Sequence, residues 1–163
     1  MPKPFNGIRF ILSIGVCQLA GIAGALFTTP AIPIWYAALE KPFFTPPSWV
    51  FGPAWGLLYL LMGISLYLVW QERGSKQKKV IPALKVFGLQ LGLNLLWSIS
   101  FFGLRSPALG FVVILLLGWA IWKTIRAFKP ISARAAYLLY PYLLWVGFAA
   151  LLNLAILFLN PVF

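Results

Sequence analysis

Five runs of apolar residues divide the chain, at roughly 7–27, 47–70, 80–103, 107–128 and 134–159. Each is near or above the ~20 residues that carry a helix across a hydrocarbon core. Prolines punctuate the runs: Pro46-Pro47 opens the second, Pro107 the fourth, and Pro130 precedes the fifth. Proline fits the first turn of a helix, where its missing N–H would have no partner anyway. The connections 71–79, 104–106 and 129–133 are short, and only 28–46 is long. The pattern predicts an all-α polytopic membrane protein: a single 1–163 domain of five transmembrane helices. A long structured loop joins the first two, and the termini lie on opposite sides.

Composition strengthens that reading. The chain is 62% hydrophobic and 9% charged, with a mean hydropathy of +0.93, more apolar than a soluble domain of this size requires. The net charge of +11 raises the question of nucleic acid, but the cations sit at the ends of apolar runs, so topology accounts for them and no nucleic-acid partner is expected. Eleven of the thirteen Lys and Arg share one side: Lys3, Arg9, the 73–85 group, and Lys123 through Arg134. The positive-inside rule makes that side cytoplasmic in a bacterial inner membrane. The 28–46 loop and the C-terminus then face the opposite side with Lys41 and Arg105, which are candidates for meeting anionic ligand groups. Ala23-Gly24-Ala25 mimics a signal-peptidase site, but the apolar stretch exceeds a usual signal core and reads as a retained helix.

Much chemistry is excluded by what is missing. There is no histidine and one cysteine, Cys17, so no intrachain disulfide forms, and neither a zinc or haem ligand set nor a Ser-His or Cys-His nucleophile pair is available. The only acids, Glu40 and Glu72, lie at a loop and a helix end, not mid-membrane where proton-coupled transporters keep carboxylates. No catalytic residue, metal site or required cofactor is expected.

Other residues stand out by depth. Trp49, Trp70 and Trp122 suit an interfacial belt. Trp55 lies roughly 12 Å inside the outer end of its helix and Trp97 roughly 9 Å, at about 1.5 Å per residue. Trp145 falls near the middle of the fifth run. Asn94, Trp97 and Ser98 share a face at i, i+3, i+4. Trp145, Ala149 and Asn153 share another, and Trp55, Tyr59 and Met62 a third. Asparagines at this depth should face the bundle interior. They are either glue between helices or the polar anchors of an apolar pocket.

The segments "WYAALEKPFFTPPSWVFGPAWGLLYLLM", "LNLLWSISFFGLRSPALG" and "LLYPYLLWVGFAALLNLAILFLN" resemble the tryptophan-rich TspO family, also called translocator protein or peripheral benzodiazepine receptor. The resemblance covers nearly the whole chain. Phe44 departs from it, standing where many members carry tryptophan. The resemblance implies five membrane helices, frequent homodimers, and binding of porphyrin or haem-type tetrapyrroles and benzodiazepine-site small molecules in a cavity beneath the first loop. Carried over by position, the ligand-binding residues would be Trp35, Tyr36, Pro46, Trp49, Trp55, Tyr59, Asn94, Trp97, Ile114, Trp145, Ala149 and Asn153.

Three functions compete: a receptor or carrier for planar lipophiles, a light- and oxygen-dependent porphyrin-degrading protein, and a ligand-responsive sensory protein. The sterol-recognition pattern of part of the family is absent from the end of the fifth helix, where no Lys or Arg follows Arg134. Gly88 and Gly92, one turn apart on the third helix, offer a small-residue face for a second subunit. At 100° per residue Asn94 and Trp97 lie about 200° and 140° from Gly92, away from that face. Gly52 and Gly56 on the second helix are the rival pair.

Overall fold

The structure is a computed structural model that describes residues 4–161, and Lys3 of the inner cation count lies outside it. Every regular element among the described residues is helical. Five segments are long and apolar enough to cross a membrane: 7–36, 48–74, 77–103, 107–128 and 133–159. The chain is therefore a multi-pass integral membrane protein.

Helix α1 (Gly7–Ala31) is capped by Asn6, whose side chain accepts the Arg9 N–H at 3.0 Å. The helix does not stop near residue 27, as the apolar run suggested. It passes Pro30 and continues through a wide i→i+5 turn, Ile32–Tyr36, that contains Pro33. A proline within a helix removes one N–H and crowds the preceding turn, and the widened turn accommodates this while the Ala37 N–H still reaches the Ile32 carbonyl. The non-helical connection consequently shrinks from the expected 28–46 to 39–47.

Helix α2 (Phe51–Trp70) follows a 3₁₀ turn at Ser48–Val50, and α3 (Gln77–Ser98) extends into a second wide turn, Ile99–Gly103. Helix α4 (Pro107–Phe128) has the predicted bounds, with Ser106 as its N-cap and Pro107 in its first turn. The fifth span is broken into α5 (Ala133–Tyr137) and α6 (Tyr140–Leu159). Pro141 lies in the first turn of α6, where proline suits a start rather than a continuation.

Helices α1 and α2 are clamped along one half of their length only. A Cβ added to Gly63 would stand 2.8 Å from the Ile14 Cα, and one added to Gly21 would stand 2.6 Å from the Tyr59 ring. Toward the 39–47 end, Gly52 and Gly56 have nothing within 4 Å of the same position. The two helices meet closely below and splay above.

Polar side chains stitch the interior. Tyr59 of α2 donates to the Asn94 carbonyl oxygen, and the Asn94 amide donates to the Tyr142 hydroxyl at 2.8 Å, joining α2, α3 and α6. Asn153 of α6 donates to the Pro107 carbonyl at 2.8 Å and accepts from Trp97 Nε1 at 3.4 Å. Ser65 donates to the Ala135 carbonyl at 2.7 Å, fixing α5 against α2.

Candidate functional site

A cavity of about 470 Å³ fills the splayed half of the bundle, within the ~300–1,000 Å³ of small-molecule sites. Aromatic rings form much of its wall. Trp55 packs at 5.7 Å from Tyr59 and 6.1 Å from Trp97, and Trp97 stacks on Phe101 at 5.7 Å. Phe51 meets Trp145 edge-on at 6.3 Å, closing α2 against α6. Offset and edge-to-face pairs of this kind hold one another in place and leave ring faces for a guest.

Eight of the twelve sequence-derived residues line this space: Tyr36, Trp49, Trp55, Tyr59, Trp97, Trp145, Ala149 and Asn153. The other four stand elsewhere. Asn94 is buried behind Tyr59 and engaged with two tyrosines, so it braces the cavity floor from outside. Trp35 packs edge-on against Phe101 at 5.4 Å and Phe102 at 6.4 Å, supporting the wall. Ile114 is buried in the core on α4, and Pro46 is half-buried in the connection.

Sequence reasoning missed the contribution of α1. Gly21, Gly24, Ala25 and Thr28 line the cavity, followed by Ile32 on the wide turn. Their signal was a run of small residues at helical spacing, which makes a hollow by what it lacks. Phe51, Ser98, Phe101 and Phe102 also belong to the wall. Gly52 and Gly56 line it too, so the rival pair faces the hollow, whereas Gly88 and Gly92 are exposed on α3 with nothing within 4 Å of an added Cβ. The rim includes residues exposed on the bundle surface, Ile22, Ala25 and Thr29 of α1 and Trp49, Gly52 and Gly56 of the second span. The cavity thus opens sideways between the splayed halves of these helices.

The 39–47 connection is tied down at its N-terminal flank, through Glu40 and Lys41. The Glu40 N–H donates to Asn160 Oδ1 at 3.0 Å, and Asn160 Nδ2 donates to the Glu40 carbonyl at 2.9 Å, so one amide side chain clasps the loop to the end of α6. Lys41 donates to the carbonyls of Tyr36, Ala37 and Leu39 at 2.9, 3.1 and 2.7 Å, with its ammonium 5.2 Å from the Tyr36 ring centroid. An ammonium has three N–H donors, so this lysine is a helix cap rather than a free partner for an anionic ligand. Arg105 is exposed in the α3–α4 turn at φ 53°.

The chemistry on offer is binding. Wall residues are mainly apolar, and the Tyr36 hydroxyl is buried with no protein hydrogen-bond partner. Among the described residues no group of three His, Cys, Asp or Glu could hold a metal ion.

A model of the TspO/MBR family matches residues 13–159. The chain is 48% identical over 155 residues to a tryptophan-rich protein TspO of Archaeoglobus fulgidus, covering 95% of this chain and 99% of the relative. It is 45% identical over 119 residues to the Homo sapiens translocator protein, covering 73% and 70%. With a tryptophan-rich sensory protein of Cereibacter sphaeroides the identity is 34% over 151 residues, covering 93% and 90%.

Proposed function

The chain belongs to the TspO/MBR family, and from that premise we propose that it is a membrane receptor or carrier for porphyrins and similar planar lipophiles, including benzodiazepine-site small molecules. The observation that carries the proposal is the sideways-opening cavity of about 470 Å³ walled by tryptophan, tyrosine and phenylalanine rings. A flat conjugated guest matches ring faces over a wide area. The unpartnered Tyr36 hydroxyl and the Asn153 amide supply the few polar anchors that orient such a guest. The clasped 39–47 loop is the lid. The cation-rich side is the cytoplasmic one in a bacterial inner membrane, with lid and C-terminus opposite. The protein pairs as a homodimer through the Gly88–Gly92 face of α3.

Titrating the purified protein in lipid bilayers with protoporphyrin IX, haem and biliverdin, followed by tryptophan quenching in the dark, tests the reading. Trp145→Phe and Trp55→Phe should each weaken binding about two- to tenfold, from the ~0.5–1.5 kcal/mol that an aromatic pair adds beyond its buried area. Unchanged affinity in both variants would leave these tryptophans as packing residues only. The same samples under illumination separate binding from degradation, since a porphyrin-degrading protein yields new absorbing products. Loss of a regulatory phenotype with porphyrin flux intact would mark a sensor instead.

A further inference from the structure

On the flank of α4 that faces away from the other helices, Leu116, Trp119, Trp122, Lys123 and Arg126 are exposed along one stripe. The opposite face of α4, from Val113 through Ile121 to Phe128, is buried. Trp119 and Trp122 retain 53% and 42% of their surface. The Lys123 ammonium lies 5.4 Å from the Trp119 ring centroid and 5.6 Å from that of Trp122, and the Arg126 guanidinium lies 4.9 Å from Trp122.

Two features set this cluster apart from ordinary interfacial anchors. A solitary Lys or Arg near a helix end extends toward water. Here both cations lie back on the indoles of their own helix, one turn apart, and a cation held by a ring face keeps N–H donors on its far side. Charge balance is the second feature. The chain has only two acids. Glu40 is in the connection at the other end of the bundle, and Glu72 follows α2 in the turn Gln71–Gly74, where its carboxylate accepts from Ser75. Two carboxylates cannot neutralise thirteen cations, so the cation-rich side carries an excess of positive charge that attracts anionic lipid.

We propose that this flank of α4 is a binding site for an anionic phospholipid of the leaflet on the cation-rich side. The phosphate diester sits between Lys123 and Arg126, with the guanidinium fork suited to two of its oxygens. The acyl chains run along Trp119 and Leu116 toward the bilayer centre. A zwitterionic headgroup carries its own ammonium and so gains less from two more cations.

Native mass spectrometry of the protein in detergent with equimolar phosphatidylglycerol and phosphatidylcholine provides the test. Phosphatidylglycerol should be retained preferentially. Lys123→Gln/Arg126→Gln should lower the phosphatidylglycerol-bound population at least about fivefold, the factor for one cation worth ~1 kcal/mol near a membrane surface. Lys78→Gln/Lys79→Gln removes the same charge on the same side but from α3, away from the Trp119–Trp122 cluster, and should leave that population nearly unchanged. Equal losses in the two pairs would show attraction to the whole basic surface and overturn the site. Inorganic phosphate at constant ionic strength should leave retention unchanged, and displacement by it would mean a phosphate site without a lipid. All four side chains are exposed, and thermal unfolding of each variant confirms that the comparison is between folded proteins.

Discussion

Asn94→Leu removes a side chain whose hydrogen bonds link α2, α3 and α6. Asn94 is 1% exposed, accepts from the Tyr59 hydroxyl and donates to the Tyr142 hydroxyl, and Tyr142 is itself fully buried. Leucine keeps asparagine's branched side-chain skeleton while removing its donor and acceptor, so two phenols are left without their partner. A buried orphaned hydroxyl costs about 1–3 kcal/mol in soluble proteins. Hydrogen bonds between membrane helices average about 0.6 kcal/mol and reach about 1.7, which favours the lower end. The expected loss is about 1–3 kcal/mol for the pair. The diagnostic step is to remove the hydroxyls as well. Replacing all partners of a network with apolar groups of similar shape is nearly neutral, so Asn94→Leu/Tyr59→Phe/Tyr142→Phe should be more stable than Asn94→Leu alone. Reversible unfolding in mixed micelles with rising dodecyl sulfate, followed by tryptophan fluorescence, measures this. Additive losses, with the triple variant the least stable, would refute the network. Protoporphyrin titration of the same variants adds a second readout, because Tyr59 lines the cavity that Asn94 braces.

Three further outcomes follow from the geometry. Gly63→Ala should cost about 1–3 kcal/mol, since its Cβ meets the Ile14 backbone at 2.8 Å, while Gly118→Ala, with nothing within 4 Å, should be neutral or stabilising by up to about 1 kcal/mol; the same unfolding assay compares them, and equal effects would contradict the clamp. Asn160→Ala breaks both hydrogen bonds of the Glu40 clasp, and at about 1 kcal/mol each should speed porphyrin dissociation at least about fivefold in stopped-flow displacement; an unchanged rate would show that the loop is no barrier. Gly88→Leu/Gly92→Leu should abolish dimers in mild detergent by mass measurement without altering ligand affinity, whereas Gly52→Leu/Gly56→Leu should keep dimers and fill part of the cavity; a third-helix variant that stays dimeric would move the interface elsewhere.

The five spans were legible because length and hydropathy decide membrane crossing, and α4 was bounded to the residue by a Ser-Pro start. The end of α1 was not legible. Pro30 and Pro33 are loop signals in water, but in this fold a wide turn absorbs them and carries Trp35 and Tyr36 into the bundle. At the cavity, large side chains announced themselves by depth: Trp55, Trp97 and Trp145 all line it. Polarity at depth showed that Asn94 has a partner, but not that the partners are Tyr59 in the wall and Tyr142 behind it. Gly21, Gly24 and Ala25 shape the space by being small, and one chain read alone does not distinguish a hollow from close packing. Gly21 of α1 and Gly63 of α2 in fact serve close packing between these two helices, while Gly52 and Gly56 border open space.

That division of α1 and α2 into a clamped half and an open half has a thermodynamic consequence. Whatever enters between Ile22 and Gly56 arrives from the hydrocarbon of one leaflet, so the bilayer is the solvent from which the site is filled. Occupancy is then set by ligand molecules per lipid, not per litre. A dissociation constant quoted in bulk concentration contains the ligand's partition coefficient, and adding empty vesicles at fixed total ligand should drain the site. Two guests with equal contacts inside the cavity will differ in apparent potency by the ratio in which they dissolve in that leaflet.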